Sequence, residues 1–262
     1  MDLRDFEPAR TDRRLSGETA QPPGLWQRFL FACVIVQLGA MSLAWCLVAP
    51  LLEVLLPRAV RGRIGRKAVS FIYRCCWASA ERLGLMEVDS SALDVLRDEP
   101  GGLIVAANHP TMLDALVVVA RLPRGVCVMK AELMRNIFLG SGARLARYIR
   151  NDVGRGMVRD AVASLREGNQ LVLFPEGTRT VAATVNAFKP GITLISHLAQ
   201  APIQTVLIES FSPYLTKGWP LLKAPPGPVR IRLRLGKRFA SDADHRALLR
   251  RIELYFAEEL RR

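Results

Sequence analysis

Residues 103–114 read LIVAANHPTMLD. The first five, Leu103–Ala107, carry no polar side chain, as expected for a strand covered on both faces. Met112–Arg121 then has a helical pattern, so Asn108-His109-Pro110 falls on the turn between strand and helix, where α/β sheets present ligand-binding residues. The same alternation recurs along the chain. Val126–Lys130 (VCVMK), Leu171–Phe174 (LVLF) and Ile203–Glu209 (IQTVLIE) read as buried strands, and Gly156–Arg166, Pro190–Ala199 and Asp242–Leu260 as helices. Val229–Leu235 (VRIRLRL) alternates apolar residues with arginine, the mark of a strand with one wet face. Strands separated by helices predict an α/β fold with a mixed, largely parallel central sheet flanked by helices.

Outside that body lies a different kind of sequence. Residues 1–24 are polar and end in Pro22-Pro23-Gly24, as expected of a flexible cytoplasmic tail. Phe29–Leu52 holds 24 residues without a formal charge, long enough to cross about 30 Å of hydrocarbon as a helix. Gln37 and Gly39 weaken its middle, and Pro50 is expected to interrupt its end. Both flanks are basic: Arg13, Arg14 and Arg28 before it, then Arg58, Arg61, Arg63, Arg66 and Lys67 after it. Cytoplasmic segments carry such an excess. The segment 25–57 is therefore a membrane anchor that either crosses once or re-enters the same side. Residues 58–86 follow as a basic amphipathic helix, its arginines reaching toward headgroups while Phe71, Ile72, Trp77 and Leu83 pack inward or into lipid. The globular domain occupies 87–262.

Composition narrows the partners. The net charge of +13 calls for an anionic one, and an apolar anchor in a chain that is only 7% aromatic favours a phospholipid surface over nucleic acid. The stretch 121–166 holds ten Lys or Arg against three acids. Such a surface suits an anionic membrane, an acidic carrier protein or the phosphates of a nucleotide thioester. Five cysteines with no metal-site spacing suggest reduced thiols in a cytoplasmic domain and no metal.

Two short segments carry chemistry. In the first, His109 sits on the turn and Asp114 within the first turn of the helix. A carboxylate on one ring nitrogen fixes the imidazole tautomer and supports the charge it gains as a base. No serine accompanies them, so the nucleophile would be an alcohol of the substrate. In the second, Phe174-Pro175-Glu176-Gly177-Thr178-Arg179-Thr180 also follows a strand. Gly177 allows close backbone approach to an anion, Thr178 can donate to phosphate, and Arg179 can bind phosphate bidentately. Glu176 could order the arginine or meet an acceptor hydroxyl. Taken singly, each has a bland counterpart, an ordinary helix entry and a turn with a surface ion pair.

Taken together, NHPTMLD and, some sixty residues later, FPEGTRT resemble the glycerophospholipid acyltransferase family, which includes the 1-acyl-glycerol-3-phosphate acyltransferases. The family's hallmark blocks are NHxxxxD and FPEGTRS; here the last residue is Thr180, which keeps the hydroxyl. The likeness runs from roughly residue 80 to 240, and Lys189 in FKPG and Ala201-Pro202-Ile203 look like later blocks. Another block departs: the arginine that usually helps bind acceptor phosphate has Arg150, in Tyr148-Ile149-Arg150-Asn151-Asp152, as its counterpart, out of the usual register.

The resemblance implies that His109 deprotonates an acceptor hydroxyl and Asp114 orients His109. Glu176, Gly177, Thr178 and Arg179 would hold the acceptor head group, with Arg150 and Lys189 as helpers. It implies an acyl-CoA or acyl-ACP co-substrate, a lysophospholipid acceptor, most simply 1-acyl-glycerol-3-phosphate, and no metal or redox cofactor. The catalytic domain would face the cytoplasm at the inner membrane. Another lysolipid acceptor is the alternative, as is a non-catalytic membrane adaptor that keeps the fold.

Overall fold

The computed structural model describes residues 23–152 and 154–261. Most of the polar tail, including Arg13 and Arg14, lies outside the described residues. Helices α1 (Leu25–Leu55) and α2 (Arg58–Arg82) precede strand β1 (Met86–Asp89). The body continues with β2 (Leu103–Ala107), α3 (Asp114–Arg121), β3 (Gly125–Met129), α4 (Gly140–Leu145), β4 (Ile149–Arg150), α5 (Arg155–Arg166) and β5 (Gln170–Leu173). It closes with α6 (Gly191–Ala199), β6 (Ile203–Ser210), β7 (Val229–Phe239) and α7 (His245–Glu259).

The strands form one seven-stranded sheet in the order β1-β7-β6-β2-β5-β3-β4. Every neighbouring pair is parallel except β6–β7. The expected mixed, largely parallel sheet is thus observed, with β2 at its centre. Leu103, Val105 and Ala107 face one apolar cluster, together with α2 and α3. Ile104 and Ala106 face another, built with α5, α6 and α7. Two covered faces explain why β2 has no polar side chain. On β7, Val229, Ile231 and Leu233 are buried while Arg230 and Arg232 point to water, as the alternation predicts.

Two short strands, β1 and β4, escape the sequence pattern. The helix expected over 58–86 ends at Arg82, Gly84 turns the chain at φ +69°, and Met86 opens β1. Pro50 does not interrupt α1, which continues to Leu55; the chain turns instead at Leu56-Pro57. Pro50 is exposed, so the carbonyl it displaces can tilt toward the surroundings.

α1 and α2 form an antiparallel hairpin. Gln37 Nε2 donates to Ser79 Oγ at 3.0 Å, and Cys76 Sγ lies 3.8 Å from Met41 Sδ, contacts that converge on a turn near residue 58. On α1 the exposed residues Phe29, Val36, Leu43, Leu47, Leu51 and Val54 fall on one stripe, opposite the buried Val34, Ser42 and Ala49. α2 is less of a surface helix than its charge suggests. Arg66 is buried, donating to Asn169 Oδ1 at 2.9 Å and to the Ala146 carbonyl at 3.3 Å, so it does not reach headgroups. Gly65 lets α2 approach α4, since a Cβ there would stand 2.6 Å from the Ala146 nitrogen.

Candidate active site

β2 and β5 are parallel neighbours with Ala106 opposite Leu173, so Asn108-His109 and Phe174-Pro175 leave the sheet side by side. Asn108 continues the pairing with its side chain. Its Nδ2 donates to the Ile208 carbonyl at 2.8 Å, and its Oδ1 accepts the Ile208 N–H at 2.7 Å. The buried amide thereby does what another strand residue would do, and holds the turn that follows against β6.

Beyond it, His109 Nδ1 lies 2.8 Å from Asp114 Oδ2. Asp114 is fully buried and also accepts the Thr111 N–H at 2.7 Å and the Thr111 hydroxyl at 2.6 Å. The direction of these bonds is fixed locally. The Leu113 N–H donates to Thr111 Oγ1 at 3.2 Å, so the threonine's own proton turns to Asp114. A carboxylate receiving those donors accepts a further hydrogen bond from the ring's Nδ1–H, which leaves Nε2 as the basic nitrogen. Burial raises the Asp114 carboxyl above the usual range, while the hydrogen bonds from His109 and Thr111 pull it back. The ring also stacks on Phe174, centroids 4.3 Å apart. Among the described residues Asp114 is the imidazole's one hydrogen-bond partner, so no side-chain nucleophile is hydrogen-bonded to it.

Glu176 ties the second segment to the first. It is 2% exposed. Its Oε1 accepts the His109 N–H at 2.9 Å and the Thr180 hydroxyl at 2.7 Å, and its Oε2 accepts the Asn186 N–H at 2.8 Å. The Thr180 N–H donates in turn to the His109 carbonyl at 2.7 Å. Glu176 therefore orders neither Arg179 nor an open surface; it clamps backbone. Arg179 turns elsewhere, its Nη1 donating to the Leu215 and Thr216 carbonyls at 2.9 Å each.

The residues expected to meet an anion, Gly177, Thr178 and Lys189, lie on the outer side of this turn. Gly177 is exposed at φ +70°, a conformation that a side chain would strain, and Lys189 lies across it. The Lys189 N–H holds the Pro175 carbonyl at 2.7 Å, fixing the lysine beside the turn. Among the described residues, neither the Thr178 hydroxyl nor the Lys189 ammonium has a hydrogen-bond or ion-pair partner. Arg150 is not gathered here. It lies on edge strand β4, three strand spacings (roughly 14 Å) from β2, and pairs with Asp152 at 2.8 Å.

Sequence reasoning missed Asn108, Thr111 and Thr180 as parts of the site. Thr180 had a legible signal, the hydroxyl retained where the resembled block has serine. Thr111 had none, because its role depends on the turn that brings it back onto Asp114.

An α/β/α sandwich with a carboxylate-held imidazole at a central strand end, with no side-chain nucleophile hydrogen-bonded to it among the described residues, is suited to general-base activation of a hydroxyl brought by a substrate. The acyltransferase family model matches residues 88–209, a span that contains both segments. That span, a little under half of the chain, is similar to the acyltransferase family. Among curated relatives, the mouse 1-acyl-sn-glycerol-3-phosphate acyltransferase alpha is 32% identical over 123 residues, covering 44% of this chain and 42% of its own. The 1-acyl-sn-glycerol-3-phosphate acyltransferase of Limnanthes alba is 29% identical over 136 residues, covering 49% and 48%. The matches thus span less than half the length of these relatives. The crystal structure of the 1-acyl-sn-glycerophosphate acyltransferase PlsC from Thermotoga maritima superposes with a TM-score of 0.69 at 18% identity, over 90% of this chain and 94% of that one. The fold is shared almost throughout.

Proposed function

We propose that the protein transfers a fatty acyl group from a thioester, acyl-CoA or acyl-ACP, to the free hydroxyl of 1-acyl-glycerol-3-phosphate, giving phosphatidic acid. His109 Nε2 takes the hydroxyl proton as the oxygen attacks the thioester carbonyl. Asp114 holds Nδ1–H and stabilises the imidazolium until its proton passes to the departing thiolate. Gly177, Thr178 and Lys189 meet the acceptor phosphate. Glu176 and Arg179 shape that turn, and Arg150 is the more distant helper. The 2.8 Å bond between His109 Nδ1 and Asp114 Oδ2 carries this reading, because a binding module has no use for a base held in one tautomer.

The hairpin supports an anchor that lies in one leaflet. α2 runs back along α1 with Arg58, Arg61, Arg63, Lys67, Arg74 and Arg82. If α1 spanned the bilayer, its partner would carry those charges into hydrocarbon, at about 2.5–3.5 kcal/mol each near a helix centre. A re-entrant anchor keeps them at headgroups, with the catalytic domain on the cytoplasmic face.

The test is transfer by the purified full chain in detergent, with 1-acyl-glycerol-3-phosphate and each thioester, read by mass spectrometry of the product. His109→Ala should lose about 10²- to 10⁴-fold in rate. Transfer that survives this change refutes the mechanism. A second reading, another lysolipid acceptor, is favoured by the engagement of Arg150 with Asp152. Transfer to such a lipid, and none to the glycerol phosphate, would establish it.

A further inference from the structure

The loop between β6 and β7 reads, over residues 211–228, FSPYLTKGWPLLKAPPGP, with two lysines and no acid. Its tip is held in shape. Trp219 Nε1 donates to the Lys223 carbonyl at 2.9 Å, the Lys223 ammonium lies 4.8 Å from the Trp219 ring centroid, and the Tyr214 hydroxyl donates to the Leu221 carbonyl at 3.1 Å. This scaffold holds Leu221 and Leu222 outward, 47% and 77% exposed. Between the loop and α1 runs a cleft of about 740 Å³ lined by Arg28, Phe31, Ile35, Val36, Trp219 and Leu222. Val36 also belongs to the exposed stripe of α1, so the leucine tip extends that stripe sideways.

The inner side of the same loop reaches the site. Tyr214 packs edge-on against Phe31 of α1 and against Trp219, at 5.4 and 6.4 Å. Leu215 is buried at φ +59°, a strained conformation for a branched residue. That conformation aims its carbonyl at both segments, where it accepts the Met112 N–H at 3.0 Å and Arg179 Nη1 at 2.9 Å.

We propose that Trp219–Lys223 is a second bilayer contact, inserting Leu221 and Leu222 into the leaflet that holds α1, with Lys217 and Lys223 at anionic headgroups. Through Leu215 and Thr216 it secures Arg179 and the turn after Asn108 when the protein is seated on its lipid. The inference rests on the membrane-bound acyltransferase reading above. The occupant is argued from charge and continuity. An aromatic ring, two leucines and lysines without an acid match an anionic interface. A symmetric contact between two copies would set the same lysines against each other.

The test places a tryptophan at the tip of the full chain, Leu222→Trp, in vesicles of phosphatidylglycerol and phosphatidylcholine with brominated acyl chains. Val95→Trp is the control, an exposed position in the turn that leads into β2, at the opposite end of the sheet. The emission added by L222W should fall at least about twofold with bromine and resist aqueous iodide, as expected of an inserted side chain; that of V95W should do the reverse. L222W emission that iodide reaches and bromine does not overturns the proposal. If light scattering then shows a dimer, the patch belongs to a second copy.

The coupling has its own readout. Leu221→Ser with Leu222→Ser should lower kcat/KM about tenfold for an acceptor resident in the bilayer and leave a monomeric short-chain acceptor, assayed without vesicles, unaffected. Equal losses on both acceptors overturn the coupling. Absence of transfer to any acceptor would sink the catalytic reading and leave the bromine result standing.

Discussion

The turns that follow β2 and β5 each bury one carboxylate, and the two groups are used differently. Asp114 directs one oxygen at an imidazole and accepts its other hydrogen bonds from Thr111, three residues away. Glu176 receives the N–H groups of His109 and Asn186 and the hydroxyl of Thr180, groups spread over nearly eighty residues of chain. One carboxylate holds the ring of an imidazole; the other locks together the two loops that carry the site. Both residues stand in strongly patterned segments, so pattern alone does not separate chemistry from scaffolding. The acceptor and donor inventory does.

Substitutions that keep shape and change charge sharpen this contrast. In Asp114→Asn the amide oxygen must face the Thr111 N–H, so it also keeps the His109 Nδ1–H and the tautomer survives. What is lost is the charge opposite the imidazolium, and kcat should fall on the order of 10²-fold. Stability should move the other way. Burial raises the Asp114 carboxyl, so stability falls as pH rises from the unfolded value to the native one and stays lower above it. The amide has no such dependence. Melting curves should therefore show D114N gaining on the parent as pH rises above the unfolded carboxyl value, about 4; a variant that loses ground over that rise would mean the carboxylate is a net stabiliser.

Glu176→Gln should invert the pattern. Turned one way, its NH₂ faces the Asn186 N–H, which loses its partner; turned the other way it faces the His109 N–H, which keeps only Thr180 Oγ1 at 3.3 Å. That costs about 1–3 kcal/mol, on the order of 5 °C in Tm for a chain of this size. The rate should fall about tenfold, less than in D114N, because the base itself is intact. Equal melting temperatures for E176Q and its parent would show that Glu176 does not clamp the loops.

The strands that define the sheet were legible because burial on two faces leaves an uninterrupted apolar run, as in Leu103–Ala107. β1 and β4 were not, because Met86–Asp89 is half polar and Ile149–Arg150 has two residues, too few for any period. His109 and Asp114 were legible as a pair because five residues close one turn. The partner of Arg179 was not. Its carbonyls belong to Leu215 and Thr216, and no local pattern announces that a branched residue will adopt a left-handed conformation. Arg66 misled for a related reason, since charge density in α2 says nothing about which arginine a neighbouring helix covers.

Thr180 offers a finer cut through the Glu176 network. Thr180→Ser keeps the hydroxyl and should match the parent, whereas Thr180→Val removes the bond to Glu176 Oε1 and should cost about 1 kcal/mol in denaturant unfolding. Indistinguishable Ser and Val variants would mean that the methyl, not the hydroxyl, holds the turn.

The smallest effect separates two cations. Lys189 lies beside Gly177 with its ammonium unpaired among the described residues, whereas Arg150 is exposed and paired with Asp152 on the far edge of the sheet. If the acceptor phosphate sits on the Gly177 turn, Lys189→Ala should raise KM for the acceptor several-fold at little change in kcat, the signature of binding shared by ground and transition states. Arg150→Ala should change KM less than about twofold, because removing an exposed ion pair alters little nearby. Steady-state kinetics over a range of acceptor concentrations distinguishes them. A larger KM effect for R150A than for K189A would place the phosphate along the β5–β3–β4 side of the sheet. The acceptor would then lie across the strand ends, and the long basic stretch from Arg121 to Arg166 would be its cradle.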